Sequence, residues 1–182
     1  MNIGLTQRIL FHKNRAYDCI EHGWYSYLVR HTLSFVKNTL DQDFEKLADS
    51  LDALIITGGD DSALRRTVEL RLASLMMTRK KPILGVCHGC FLLTETLGGT
   101  IYEVYDHDGD DHEIISSGKK IMVNSYHSLA ILKPHEGATV LATDSADNCE
   151  AWIDKNLAGV VWHPERMETP WLPTKIQNLL NI

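Results

Sequence analysis

The feature that most restricts this chain is Gly85-Val86-Cys87-His88-Gly89, a turn of small residues set between an apolar run and an amphipathic one. Residues 82–86 read as a buried strand, and residues 91–97 restore helical spacing before Gly98-Gly99 stops it. A strand that bends this sharply into a helix pushes the residue at the bend out of the sheet, and flanking glycines let the backbone follow. Cys87 then lies at a helix start, where the positive end of the helix dipole favours thiolate over thiol. The His88 N–H would point into the same space and could donate to a developing oxyanion. Three readings of Cys87 are open at this point. A lone cysteine beside a strand is commonly a small buried hydrophobe. Cys87 and Cys90 also form a C-x-x-C, the spacing of a redox pair or of half a zinc site, although no second C-x-x-C completes a zinc ribbon. The third reading is a nucleophile, which needs partners elsewhere.

Along the rest of the chain, short β-branched or apolar runs alternate with longer amphipathic stretches, the pattern of a mainly parallel sheet with crossover helices. The predicted class is α/β. Strands are expected at residues 2–6, 52–57, 82–86, 113–116, 121–123, 138–142, 149–153 and 158–162. Helices are expected at 18–39, 43–51, 67–78 and 91–97, with a closing helix over 170–180 that has proline near its start. Few helices separate the later strands, so part of the C-terminal half should be antiparallel. No repeat, low-complexity stretch or linker interrupts 182 residues, and one domain spanning 1–182 is expected.

A cysteine nucleophile needs a base, and the base needs a group to orient it. The apolar run 157–162 leads directly into His163, with Glu165 two positions on. Residues two apart on extended backbone project to one side, so Glu165 can hold one ring nitrogen while the other faces Cys87. With nine histidines in the chain, a strand-end histidine beside an exposed glutamate is the plainer reading without Cys87. Gly58-Gly59-Asp60 closes another apolar strand; the Gly59 N–H could supply the second half of an oxyanion hole with His88, although a plain turn is the commoner use of such a pair.

The ordered set resembles the class I glutamine amidotransferase-like superfamily and, within it, the γ-glutamyl hydrolase branch, peptidase family C26. Residues 3–8 are similar to the opening strand, 53–60 to the oxyanion strand and loop, and 65–69 to the R-x-x-x-E helix start. Residues 82–89 match the nucleophile elbow and 97–102 the segment after it. Val123-Asn124-Ser125-Tyr126-His127 looks like the V-N-S-x-H signature, Glu150-Ala151 like the E-A pair, and Trp162-His163-Pro164-Glu165 like the triad signature. The resemblance implies a three-layer, flavodoxin-like fold with helices on both sheet faces and a Cys87–His163–Glu165 triad. It implies a cysteine-dependent hydrolase that cleaves a γ-glutamyl amide through a glutamyl thioester, with Gly59 and His88 as oxyanion donors. Gly58, Tyr126, His127 and Ser128 would contact the glutamyl moiety. Small bacterial members act on γ-glutamyl conjugates of nucleotide amidates in surface-polysaccharide synthesis. The alternatives are a glutaminase component that delivers ammonia to a synthase partner, and a retired binding or regulatory protein. Two departures stand out. Phe91 occupies the position where the family usually has a substrate-binding glutamine, and the chain is short between Asp61 and Thr67, so the pocket should be more open or completed by another polypeptide.

Composition removes other classes. A net charge of -6 argues against non-specific nucleic-acid binding, and no apolar run approaches the roughly 18 residues that span a bilayer. The first residues lack the pattern of a secretory signal, four irregularly spaced cysteines make no disulfide framework, and a cytoplasmic location is expected. No cofactor or metal is expected: the acidic run 106–113 fails the calcium-loop pattern, with glycine fourth rather than sixth, and reads as a solvated loop. His112 could line the pocket by position. Trp24, Trp152 and Trp171 read as core or rim aromatics, and Cys19 and Cys149 as buried thiols. A small-molecule γ-glutamyl substrate is the expected partner, and the chain could further form a homodimer or pair with a synthase.

Overall fold

The structure is a computed structural model that describes residues 1–104, 109 and 111–182. The acidic run expected to be a solvated loop therefore lies largely outside the described residues. Thirteen strands and five α-helices are described. The large sheet has a parallel core built from β4 (Thr32–Val36), β1 (Asn2–Thr6), β5 (Ala53–Ile56), β6 (Ile83–Val86) and β13 (Leu157–Val160), in that order. Its strands β5, β6 and β13 are nearly continuous Ile, Leu, Val and Ala because helices cover both sides of such a core. The sheet continues antiparallel through β12 (Cys149–Asp154), β11 (Thr139–Thr143), β8 (His112–Ser116) and β9 (Lys119–Val123), with β10 (Leu129–Lys133) and β7 (Thr100–Glu103) branching from β12. This is the expected α/β class with antiparallel strands in the C-terminal half.

The helices follow from local chemistry. The side chain of Asp43 caps α2 (Phe44–Ser50) by accepting from the Lys46 N–H, and Ser62 caps α3 (Ala63–Thr78) through the Arg65 N–H. The helix α4 (His88–Thr96) starts at the Cys87 bend, and α5 (Thr174–Leu180) starts after Pro173. No helix among the described residues is long and apolar enough to cross a membrane.

The expected helix over 18–39 is replaced by three elements. Residues 15–19 form β3 (Arg15–Cys19), paired with β2 (Arg8–His12) in a hairpin; α1 spans only Gly23–Tyr27; and β4 occupies much of the remainder. The hairpin turn is Lys13-Asn14, both with positive φ, which is what a two-residue turn between twisted strands demands. Residues 32–36 pair in parallel with β1 from Asn2↔Thr32 to Thr6↔Val36. The unfilled edge of β1 outweighs the helical spacing of Trp24, Tyr27 and Leu28, and Thr32, Phe35 and Val36 are good strand formers. The strands β7 and β10 also lie where no strand is expected.

Candidate active site

Three neighbouring parallel strands end at one place. The chain leaves β5 at Thr57-Gly58-Gly59, leaves β6 at Cys87 and leaves β13 toward His163. Ligands of open α/β sheets bind beyond such carboxyl ends. Cys87 takes φ 49° and ψ -107°, a strained conformation for a residue with a side chain. Its N–H donates to the Val160 carbonyl at 2.9 Å, and its own carbonyl accepts from the Phe91 N–H at 3.0 Å. Gly89 makes the bend possible, since a Cβ there would overlap the Ile56 carbonyl.

His163 is 1% exposed, and its Nδ1 lies 2.7 Å from Oε1 of the buried Glu165. Burial alone would lower the imidazole pKa, but hydrogen bonding to Cys87 and to Glu165, with their charges, raises it from 6.5 to about 9. A proton is thus held on the ring between the Cys87 sulfur and the Glu165 carboxylate. The ring lies close against Gly58, where any Cβ would run into Cε1 and Nε2. The main chain of His163 is gripped as well. Its N–H donates to Oδ1 of Asn124 at 2.9 Å, and Nδ2 of Asn124 donates to its carbonyl at 2.8 Å, so one buried side chain replaces a neighbouring strand.

A second buried network joins the two glycine-bounded turns. Arg65 and Glu69, one helical turn apart on α3 and both inaccessible, pair at 2.8 Å. Arg65 donates to the carbonyls of Thr57 at 2.6 Å and Asp60 at 3.1 Å, while Oε2 of Glu69 lies 2.8 Å from Nε2 of His88. Burial would raise the Glu69 pKa, but His88 and Arg65 outweigh it and hold it below the ordinary carboxylate value. Gly59, at φ 117°, and His88 are thus tied through Arg65 and Glu69.

A thiol, an imidazole and a carboxylate in series, beside two turns with backbone donors, can form and break an acyl bond. The sequence profile of the family described as Glutamine amidotransferase class-I matches residues 15–182. The chain belongs to that family. Among its relatives, the gamma-glutamyl-CDP-amidate hydrolase of Campylobacter jejuni subsp. jejuni serotype O:2 is 28% identical, with 91% of this chain and 90% of the relative covered. The anthranilate synthase component 2 of Lactococcus lactis subsp. lactis is also 28% identical, with the same 91% and 90% coverage. In fold, the chain superposes on a glutamine amidotransferase from Thermotoga maritima with a TM-score of 0.69 at 12% identity, covering 98% of this chain and 80% of that one.

In this class-I glutamine amidotransferase a cleft of about 350 Å³ opens beside Cys87, bordered by Gly59, His88, Phe91, Tyr126, His127 and Ser128. The sequence-predicted residues are therefore brought together, with Gly58 beside the His163 ring rather than on the cleft wall. The Tyr126 carbonyl lies 3.9 Å from the Cys87 sulfur, and the Arg166 guanidinium stacks 4.6 Å from the centre of the Tyr126 ring. Arg166 is held by Glu21, with bonds at 2.8 and 2.9 Å. The Phe91 ring, whose centre is 6.0 Å from that of His127, forms the apolar side.

The redox reading of the C-x-x-C fails on position. Cys90 is wholly buried against Gly159, and burial first, then the neighbouring Cys149, raises its thiol pKa well above the ordinary value. All four cysteines are free thiols; Cys149 is buried as expected, but Cys19 is partly exposed at the end of the hairpin. Trp24 and Trp152 lie in the core. His112 is not on the cleft wall and stands beside Glu150. Asn124, Arg65 and Glu69 entered the sequence reading only as parts of family signatures. Their roles in gripping His163 and joining the turns depend on contacts 39 and up to 19 residues distant, which no local pattern announces.

Proposed function

We propose that this protein hydrolyses a γ-glutamyl amide through a thioester on Cys87. The observation that carries the reading is His163 held between the Cys87 sulfur and the Glu165 carboxylate beside the cleft. Cys87 Sγ, its proton passed to His163, attacks the amide carbonyl, and the oxyanion takes hydrogen bonds from the backbone N–H groups of Gly59 and His88. As the C–N bond breaks, His163 gives its proton to the leaving nitrogen. A water then gives a proton to His163 and attacks the thioester, releasing glutamate and the thiol. The backbone of Tyr126, His127 and Ser128 holds the glutamyl α-carboxylate or α-amino group.

For the leaving group we propose a nucleotide amidate, on the strength of the Campylobacter relative's near full-length match. A second reading, a glutaminase component feeding ammonia to a synthase, is favoured by the equally covered anthranilate synthase component. The two separate in one assay. The isolated chain is incubated with γ-glutamyl-CDP-amidate and with glutamine, while intact-protein mass spectrometry follows Cys87. Rapid glutamate release from the amidate without any partner, with a glutamyl adduct on Cys87, supports the hydrolase. Turnover of glutamine only when a synthase is added supports the ammonia-delivering component. No adduct with either substrate removes the thioester mechanism.

A further inference from the structure

Behind the loop that bears Tyr126 and Ser128, three side chains able to ligate a metal converge from separate elements. His112 opens β8, His127 lies between β9 and β10, and Glu150 is the second residue of β12. One donor atom of each lies within 4.8 Å of the other two. His127 and Glu150 are buried and His112 is partly so.

The chemistry of each donor suits an ion. Nδ1 of His127 is 2.7 Å from the Leu129 carbonyl, which can only accept, so the proton sits on Nδ1 and Nε2 carries the lone pair. That tautomer, fixed by a backbone carbonyl, is the one metal-binding imidazoles use. Glu150 is 1% exposed, and its Oε2 accepts no hydrogen bond among the described residues. A carboxylate oxygen buried in this way is costly without a cation to neutralise it. Nε2 of His112 lies 3.4 Å from that oxygen. Metal–ligand bonds of about 2.05 Å place tetrahedral ligands ~3.3 Å apart, so this separation already matches one edge of a tetrahedral site.

We propose that His112, His127 and Glu150 bind a divalent transition-metal ion of the zinc class, with water in the remaining position. Two imidazoles and one carboxylate select zinc or its neighbours over calcium or magnesium, which prefer all-oxygen sets. The ion acts on position: it pins His127, and with it the cleft wall formed by Tyr126 and Ser128, to the strands β8 and β12. The proposal departs from the expectation of no metal, which rests on local spacing, whereas these three ligands are separated by strands and turns.

The competing account is a direct ion pair between protonated His112 and Glu150. Tag-free protein carrying Cys87→Ser, which removes the thiolate that would otherwise capture zinc, is dialysed against micromolar Zn²⁺ and analysed for bound metal. The same protein is titrated with Co²⁺ while visible absorption is recorded. The expected results are one zinc per chain, cobalt d–d bands of a four- or five-coordinate site without a thiolate charge-transfer band, and a zinc-dependent rise in Tm. Adding His112→Gln or Glu150→Gln should weaken metal binding by at least about 10-fold and remove the Tm rise. His112 is partly exposed, so His112→Gln decides the question if Glu150→Gln does not fold. Absence of bound zinc in the Cys87→Ser protein, or affinity unchanged by His112→Gln, would overturn the site and leave the ion pair as the explanation of the cluster.

Discussion

The two halves of the sheet do different work around one cleft. The parallel half sets Cys87, Gly59 and the approach to His163 at the ends of strands that are paired on both sides and covered by helices. The antiparallel half contributes Tyr126, His127 and Ser128 from a loop between β9 and β10, and the pairing of β10 with β7 is broken by a register shift at Ile131/Lys133. Rigid strand ends suit the reacting atoms, where small displacements cost much of the rate, whereas a loop wall can be reshaped for different substrates. Asn124 breaks this division: it belongs to the antiparallel half, yet its side chain holds the main chain of His163 on both sides.

If the division is right, lesions in the parallel half should fall on kcat and lesions in the wall on KM. The largest effect is expected from Cys87→Ala, which should reduce kcat by about 10⁴-fold or more while leaving the thermal unfolding midpoint within a few degrees of the parent. Next comes Glu165→Gln, about 10²- to 10⁴-fold in kcat, because the ring loses the carboxylate that orients it and stabilises its positive form. This variant also tests the pH behaviour. In the proposed mechanism His163 carries the proton given to the leaving nitrogen, so kcat/KM of the parent should fall as pH rises through about 9. Removing the Glu165 charge should move that limb to lower pH. The stability linkage has the same sign: a histidine pKa raised from 6.5 to about 9 contributes stability fully present below about 6.5 and lost as pH climbs through about 9. Denaturant unfolding at pH 6 and pH 10 checks it.

The contrast between halves also explains what the sequence discloses. The Cys87 elbow, the Gly58-Gly59 turn and the His163-Pro164-Glu165 segment are legible because each is a local pattern: an apolar strand that ends in small or ring-constrained residues. The buried parallel strands are legible for the same reason, as short uninterrupted apolar runs. The strand β4 is not, because its pattern of half-buried residues fits a helix as well, and only its pairing with β1 decides. The strands β7 and β10 pair chiefly with each other, and their exposed faces carry Tyr102 and Leu132, so neither shows a clean alternation. The Lys13-Asn14 turn is the one local signal available for the β2–β3 hairpin, and asparagine is the residue in it that tolerates positive φ well.

The Arg65–Glu69–His88 network and the Asn124 clamp allow a sharper comparison of intermediate effects. Glu69→Gln leaves the inaccessible Arg65 without its counter-charge and should cost about 3 kcal/mol of stability, with roughly a 10- to 100-fold loss in kcat through displaced oxyanion donors. Asn124→Ala removes two buried hydrogen bonds and should cost about 2–4 kcal/mol. If the halves were independent, Asn124→Ala would alter KM alone; its grip on His163 predicts that kcat falls about 10-fold as well. Steady-state kinetics with urea unfolding on both variants separate the two contributions.

The smallest effect is expected at the seam, where Phe91 of the parallel half meets His127 of the antiparallel wall. Phe91 is 5% exposed and fills the position at which the resemblance leads one to expect a glutamine. Phe91→Gln should destabilise the fold by about 1–2 kcal/mol, since an amide replaces an apolar ring in a cleft wall shared with Leu92 and Leu129. It should lower KM for γ-glutamyl substrates about 3-fold with kcat unchanged, because the amide offers the glutamyl group a hydrogen bond while the strand ends that hold Cys87 and His163 stay in place. A change confined to KM would keep recognition and chemistry on separate halves even where they touch. A matching fall in kcat would mean that Phe91, through its packing against His127, helps hold the nucleophile turn itself.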